Sequence, residues 1–229
     1  MGSLVENYNE VRERVAAAAR RVKRNPEEIL VIAVTKNQTI GTIKEGIQAG
    51  INIIGENRVQ ELLEKYEALG NQAEWHLIGH LQTNKVKAIV DKVELIHSLD
   101  NLQLAEEIDK RGAQKSIVVK ALVQVNVSGE ESKFGLALEE VVPFLQTAAA
   151  RFKNLKIMGL MTIAPYVDNP EETRSCFRQL REFAEAVKAL NISGVEMEYL
   201  SMGMTNDFEV AVEEGANLVR IGRAIFDIN

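Results

Sequence analysis

A lysine directly follows an apolar run that is rich in β-branched residues. The run Leu30–Val34 leads through Thr35 into Lys36, which places the lysine at the end of a predicted buried strand. Burial would disfavour the charged ammonium form and leave Lys36 a nucleophilic amine that can condense with an aldehyde. The alternative is a loop lysine in water, and the position taken alone favours that alternative.

A second group of residues could bind an anion. Ser201, Gly203 and Thr205 follow one predicted strand and open a predicted helix, where hydroxyls, a glycine backbone and helix N–H groups can hold a phosphate. Residues 220–222, Arg-Ile-Gly, end the next predicted strand and add a second glycine. The alternative is a helix start capped by Thr205 or Asn206, and such capping is compatible with phosphate binding.

A lysine that reacts with aldehydes and a phosphate cradle together describe a site for pyridoxal phosphate. Such a site also needs a partner for the nitrogen of the cofactor ring, and Arg220 is the candidate. A guanidinium stays charged and can only donate a hydrogen bond, so Arg220 would keep the ring nitrogen unprotonated. The cofactor would then withdraw electrons less strongly than it does beside an aspartate, which disfavours transamination.

These residues must be brought together by the elements that carry them. Short apolar runs alternate along the chain with longer stretches of helical period. The runs predict eight strands, at residues 30–34, 51–54, 75–78, 93–97, 117–125, 155–161, 196–200 and 218–221. Helices are predicted after the first seven strands, near residues 39–49, 57–69, 82–91, 101–112, 138–151, 171–190 and 205–214.

Repeated strand–helix units form either an open doubly wound sheet or a closed barrel, and eight units favour the barrel. We therefore predict a single α/β domain over residues 1–229, a (β/α)8 TIM barrel with an extra N-terminal helix over residues 3–23. The open sheet remains possible if the second and fourth strands are wrong. The apolar stripe of the first helix would pack on the barrel exterior, in place of a missing eighth helix. That stripe consists of Val11, Val15, Ala18 and Val22.

Composition restricts the classes of function. The chain has 229 residues, of which 46% are hydrophobic and 26% charged, as in an ordinary globular protein. Its net charge of −6 provides no global attraction for nucleic acid. The first helix does carry clustered cations, which could bind an anionic membrane or nucleic acid, but we interpret them as a solvated face. These cations are Arg12, Arg14, Arg20, Arg21, Lys23 and Arg24.

Cysteine and histidine usage argues against disulfides and metal sites. The lone Cys176 excludes an internal disulfide, suits a reducing compartment and is interpreted as a small buried thiol. His76 and His80 are separated by Gly79, and His97 lies on another strand, so no metal site is predicted. The N-terminus lacks an apolar signal core, and no run approaches the length of a membrane span, so we expect a cytoplasmic protein.

Several segments carry more specific motifs, at residues 33–36, 55–58, 76–85, 159–162, 200–204 and 220–222. Together they resemble the pyridoxal phosphate homeostasis proteins, a group similar to the barrel half of bacterial alanine racemase. The resemblance covers nearly the whole chain, and the stretch that contains His76 and His80 is its most specific part. Thr205 stands where the family is expected to have serine, but a hydroxyl is retained.

The resemblance implies that Lys36 binds pyridoxal phosphate covalently, that the turns after the last two strands hold its phosphate, and that Arg220 faces its ring nitrogen. Met161 would pack on the ring, and Asn57 and His80 would lie nearby. The implied cofactor-binding residues are Lys36, Asn57, His80, Met161, Ser201, Met202, Gly203, Thr205, Arg220, Ile221 and Gly222. Without the resemblance, Met161 could be barrel filling, Asn57 a helix N-cap and His80 a turn residue.

Racemisation of an amino acid needs a base on each face of the substrate, and Lys36 can serve only one. In the racemases that this chain resembles, the second base is a tyrosine from a separate domain, which we do not expect here. Tyr166 is the tyrosine that could lie near the barrel mouth. We therefore predict no catalytic residues and little or no turnover.

The predicted function is reversible binding of pyridoxal phosphate, which would buffer the cofactor or deliver it to apoenzymes and so affect amino and keto acid balance. We expect a monomer that binds neither nucleic acid nor membrane. An amino acid racemase-like enzyme and an interaction module with a vestigial barrel are the alternatives. The loop 126–135 could be a flap over the site or simply a solvated loop.

Overall fold

The computed structural model describes residues 3–130 and 133–227. Eight parallel strands form a closed barrel in chain order, and the eighth pairs with the first. The strands are β1 Leu30–Val34, β2 Ile53–Glu56, β3 Glu74–Leu77, β4 Leu95–Leu99, β5 Val119–Gln124, β6 Leu155–Met161, β7 Val195–Ser201 and β8 Leu218–Ile221. The predicted TIM barrel is confirmed, and the open sheet is wrong.

Helices connect the strands on the outside of the barrel. They are α1 Leu4–Arg21, α2 Ile40–Gln48, α3 Val59–Leu69, α4 Val86–Ile89, α5 Leu102–Lys115, α6 Leu138–Arg151, α7 Arg174–Ala189, α8 Phe208–Glu213 and α9 Arg223–Phe226. Short 3-10 turns occur at Pro26–Glu28, Gly70–Gln72, Thr83–Lys85 and Pro170–Thr173. Of the described helices, none combines the length and the apolar character that crossing a bilayer requires.

The second and fourth strands begin and end about two residues later than predicted. Strand β2 includes Glu56, and β4 includes Ser98, both of them polar and both completely buried. These polar residues interrupt the apolar runs, so the pattern placed the strands too early. The helix predicted at 82–91 is also shorter, since it consists of a 3-10 turn followed by the single turn of α4.

Helix α1 packs against α8 and α9 on the barrel exterior, as predicted. Ser3 begins it with a capping box, in which the Ser3 hydroxyl accepts from the Glu6 N–H and the Glu6 carboxylate accepts from the Ser3 N–H. Val11 and Val15 are buried, but Val22 is exposed, because the helix ends at Arg21 before the stripe reaches it. Helix α1 thus completes the layer of helices around the barrel, next to β8.

Several of the clustered cations of α1 pair with acidic residues of α8. Arg14 lies 2.9 Å from the Glu209 carboxylate, and Arg21 contacts both Glu209 and Glu213. Arg24 donates to two backbone carbonyls near the end of α8. These contacts hold α1 to the barrel, so Arg14, Arg21 and Arg24 do more than form the solvated face that the sequence predicted.

The interior of the barrel contains an apolar layer of side chains. Polar side chains lie next to this layer, toward the carboxyl ends of the strands. The apolar layer consists of Ile32, Ile53, Leu95, Leu122, Met158, Met161 and Leu218. Because strand side chains alternate between faces, the residue two positions after an inward residue also points inward. His97 follows Leu95 in this way, and Arg220 follows Leu218. Cys176 is buried outside the barrel in α7, as predicted.

Candidate functional site

A cavity of about 200 Å³ opens at the carboxyl ends of the strands. It brings together five of the predicted site residues, namely Lys36, Asn57, Thr205, Arg220 and Gly222. A larger open groove of about 880 Å³ lies beside α1 at the other end of β1, and it contains none of the predicted residues. Only the first cavity therefore combines an amine, a guanidinium and a hydroxyl from the predicted set.

The Lys36 side chain is exposed in this cavity, so the expectation that burial would desolvate it is wrong. The backbone that carries Lys36 is nevertheless held by hydrogen bonds of the two flanking residues. The Thr35 hydroxyl donates to Glu56 Oε1 at 2.5 Å, and the Asn37 N–H donates to the Glu61 carboxylate at 3.2 Å. Asn37 adopts a left-handed backbone with φ of 62°, which turns the chain directly after the lysine.

A buried ion pair supports the same turn from below. Lys65 Nζ on α3 donates to Glu56 Oε1 at 2.6 Å and to the Thr35 carbonyl at 2.7 Å. Glu56 is completely buried and Lys65 is 6% exposed. Burial raises the pKa of the Glu56 carboxyl, and the hydrogen bonds from Lys65 and Thr35 oppose that rise. The pair thus orients the backbone that carries Lys36.

Arg220 is buried at the floor of the cavity and is held by two acceptors. Its Nη1 donates to the Ser201 hydroxyl at 2.5 Å, and its Nη2 donates to the Thr162 carbonyl at 2.8 Å. No carboxylate among the described residues forms an ion pair with it. Burial lowers the pKa of Arg220 to about 10, against the opposing charge of Asp207. A rigid donor with incomplete charge compensation is therefore offered to the cavity.

The turn between β7 and α8 differs from the capped start that was the alternative to phosphate binding. Helix α8 begins at Phe208, and the Asp207 carboxylate accepts from the Met204 N–H at 2.6 Å. Thr205 and Asn206 therefore do not cap α8. The Thr205 hydroxyl instead faces the start of α9, where it accepts from the Ala224 N–H at 3.5 Å.

Gly203 has a packing role in this turn, and its close approach to a ligand stays a prediction. Its φ is +92°, and a Cβ on it would lie 2.6 Å from the Cβ of Ala211. Only glycine allows this turn to pack on α8.

Asn57 does not cap helix α3, because Arg58 occupies the N-cap position.

The other predicted site residues do not line the cavity. Met161 and Ser201 are completely buried inside the barrel beneath it. Met202 and Ile221 are buried in the outer hydrophobic core. His80 is exposed and stacks on Phe134, with ring centroids 4.3 Å apart. Their assignment to the cofactor stays a prediction.

Comparison with known proteins gives the family. The family described as alanine racemase, N-terminal domain, matches residues 3–229. A pyridoxal phosphate homeostasis protein of Aquifex aeolicus (strain VF5) is 45% identical over 222 residues, which are 96% of this chain and 96% of that protein. The chain belongs to the family of pyridoxal phosphate homeostasis proteins. The resemblance seen in the motifs is confirmed.

Solved structures agree with this membership of the pyridoxal phosphate homeostasis family. PipY of Synechococcus elongatus PCC7942, with PLP bound, has a TM-score of 0.81 and 33% identity, with coverage of 94% of this chain and 99% of PipY. An alanine racemase of Clostridium difficile 630 has a TM-score of 0.76 at 13% identity, covering 97% of this chain and 56% of the racemase. The second likeness shows the barrel fold alone.

Sequence reasoning missed several residues of this pyridoxal phosphate homeostasis family member. Arg223 lines the cavity and was overlooked, although it directly follows Gly222, whereas Tyr166 lines the cavity as expected for a tyrosine near the barrel mouth. His76 and His97 were weighed only as metal ligands, whereas their rings lie 3.0 Å apart at the nearest nitrogens inside the barrel. Within residues 3–130 and 133–227, no cluster of three or more potential metal ligands occurs.

Proposed function

We propose that this chain binds pyridoxal phosphate reversibly and takes part in its homeostasis. The observation that carries the proposal is the cavity shared by the Lys36 amine, the Thr205 hydroxyl and the buried Arg220 guanidinium. The donors of Arg220 suit an aromatic nitrogen that accepts a hydrogen bond. When bound, the cofactor would supply an aldehyde and an electron-withdrawing ring.

Each residue of the cavity has a role in this proposal. Lys36 would hold the cofactor through its amine, which is exposed and free to reach an aldehyde. Thr205 and Gly222 would bind the phosphate at the ends of β7 and β8, the usual phosphate position in such barrels. Arg220 would keep the ring nitrogen unprotonated, because its own proton stays on the guanidinium.

The absorption spectrum of the purified protein with added pyridoxal phosphate tests the assignment of Lys36. We expect an absorption band of covalently bound cofactor that is lost in Lys36→Ala. Lys44→Ala is the matched control, since Lys44 is an exposed lysine of α2 outside the cavity. A band of equal strength in Lys36→Ala would contradict the assignment.

We propose further that turnover is slight or absent. The names of the relatives describe homeostasis, which supports this part. Tyr166 favours a racemase-like enzyme as the second candidate, because it is 77% exposed and lines the same cavity as Lys36. Exchange of a substrate α-hydrogen with deuterated solvent distinguishes the two. Exchange above the rate of free cofactor, lost in Tyr166→Phe, would favour the enzyme.

The remaining parts of the proposal concern partners and location. The protein would act as a cytoplasmic monomer that delivers the cofactor to apoenzymes. The lone Cys176 supports a reducing compartment. Mixing cofactor-loaded protein with an apoenzyme, with and without a dialysis membrane between them, separates direct delivery from release into solution. Sedimentation measures the oligomeric state.

A further inference from the structure

A chain of hydrogen bonds crosses the interior of the barrel. It starts at Glu74, the first residue of β3, whose side chain is 48% exposed at the amino ends of the strands. It ends at Arg220 beneath the cavity. We call this chain the histidine relay, and its members are Glu74, His76, His97, Ser201 and Arg220.

Each link of the histidine relay has hydrogen-bond geometry. His76 Nε2 lies 3.2 Å from Glu74 Oε1, and His76 Nδ1 lies 3.0 Å from His97 Nε2. His97 Nδ1 lies 2.9 Å from Ser201 Oγ, which accepts from Arg220 Nη1 at 2.5 Å. His76, His97 and Ser201 are at most 3% exposed, so the middle of the relay is shielded from bulk water.

When both imidazoles are neutral, the two ends of the relay fix the direction of every bond. An ionised carboxylate only accepts, so His76 Nε2 carries a proton and donates to Glu74. In a neutral His76 the Nδ1 atom then accepts, which places the proton of His97 on Nε2. His97 Nδ1 accepts in turn from the Ser201 hydroxyl. The Ser201 oxygen can then accept from Arg220, which can only donate. The carboxylate at one end and the guanidinium at the other are therefore satisfied by one and the same set of proton positions.

The electrostatics of the interior agree with a neutral imidazole at His97. Burial, together with the neighbouring His76 and the positive charge of Arg220, lowers the pKa of His97 well below its usual value. The hydrogen bond from His76 lowers the pKa of Glu74, and Lys120 acts in the same direction. Asp207 is the acidic group whose charge acts on Arg220 from the other side.

We propose that the histidine relay fixes the Arg220 guanidinium and transmits to it the charge of Glu74 from the opposite end of the barrel. His97 is then a positioning residue, because it acts on the cavity only through Ser201 and Arg220. Hydrogen bonds in series polarise one another in a buried environment, which gives the charge of Glu74 a path through the barrel. The part that concerns the cofactor rests on the proposed function.

The imidazole protons test the relay itself, without any cofactor. The chain has three histidines, so two-bond ¹H–¹⁵N correlation spectra resolve each ring. We expect both buried rings to hold a proton on Nε2 and His97 to stay neutral between about pH 5.5 and 8. The exposed His80, which lies outside the relay, is the internal control. A proton on Nδ1 of either buried ring, or a doubly protonated ring, would overturn the proposed arrangement.

Glu74→Gln tests the transmission of charge, because the amide oxygen can still accept from His76 while the negative charge is lost. We expect the His97 ¹⁵N signals to move and the absorption maximum of bound pyridoxal phosphate to shift to longer wavelength, since a less compensated Arg220 polarises the ring more strongly. Glu196→Gln is the control, for Glu196 pairs with Lys156 at the same end of the barrel and touches no relay member.

The outcomes separate the relay from the proposed function. An unchanged spectrum of bound cofactor in Glu74→Gln, or a shift to shorter wavelength, would overturn the transmission. Failure of the wild-type protein to bind pyridoxal phosphate would instead overturn the proposed function. In that case the imidazole spectra and the response of His97 to Glu74→Gln would still decide whether the relay exists.

Discussion

At the scale of single residues, the cavity contains two arginines that differ in burial and in hydrogen bonding. Arg220 is buried and held by two acceptors, so its position is fixed before any ligand arrives. Arg223 is exposed at the start of α9, with one hydrogen bond of 3.3 Å to Asn206. The buried arginine can set geometry, whereas the exposed one can add positive charge near the Thr205 hydroxyl.

We predict that Arg223→Gln weakens binding of pyridoxal phosphate by about three- to tenfold, because a cation beside a phosphate is screened by water at an exposed site. Titration of the absorption band measures the affinity, and the loss is expected to shrink at high salt. Arg58→Gln is the matched control, since Arg58 is an exposed arginine at the same barrel end but outside the cavity. Equal effects of both substitutions would contradict a local role for Arg223.

The residues of the site differ in how much the sequence reveals. Lys36 and Arg220 stand at strand ends, and strand ends follow from the apolar runs. The placement of Ser201 is harder to predict, because it depends on which face of β7 points inward. Its hydroxyl lies between His97 and Arg220, and both partners come from other strands. Such contacts depend on the stagger of the barrel, which no local pattern contains.

At the scale of elements, the loop after β1 depends on helix α3. Lys65 reaches from α3 to the Thr35 carbonyl and the Glu56 carboxylate, so strand, loop and helix meet at one ammonium group. In the sequence, Lys65 belongs to a helix with many charged residues, and this pattern predicts an exposed lysine. Its burial arises only when α3 packs against the barrel.

We predict that Lys65→Met lowers the free energy of unfolding by about 3 kcal/mol at neutral pH, because it leaves the Glu56 carboxylate buried without its cation. The folded-state pKa of Glu56 is already raised by burial, and it rises further without Lys65. Folded Lys65→Met then keeps the proton of Glu56 to higher pH than the folded wild type does, so the deficit grows as pH rises above the pKa of Glu56 in the folded wild type. Urea unfolding at about pH 4.5 and 7.5 measures it.

The double variant Glu56→Gln/Lys65→Met serves as the control for this ion pair. It removes the buried charge together with its partner, so we expect it to recover part of the lost stability and to show no growth of the deficit with pH. A deficit of Lys65→Met that is the same at both pH values would show that lost packing, rather than the buried carboxylate, is responsible.

At the scale of the whole molecule, the outer layer is completed by the first and last parts of the chain. Helix α1 packs on α8 and α9, and β8 pairs with β1 in the barrel wall. Regular strand–helix alternation predicted the barrel, and the apolar stripe of residues 3–23 predicted a helix on its exterior. The tilt and contacts of α1 were not predictable, because they depend on partners about 200 residues away in the sequence, such as Glu209 for Arg14.

This closure predicts that α1 and the barrel unfold together. Leu4 is completely buried at the start of α1, whereas its neighbour Val5 is 39% exposed. We expect Leu4→Ala to lower the free energy of unfolding by about 2–5 kcal/mol, and Val5→Ala by less than about 0.5 kcal/mol. Circular dichroism of the helices and absorption of bound pyridoxal phosphate should change in a single transition in all three proteins. If α1 were only an appendage, Leu4→Ala would instead separate an early loss of helix from a later loss of bound cofactor, and the midpoint of the later transition would match that of the wild type.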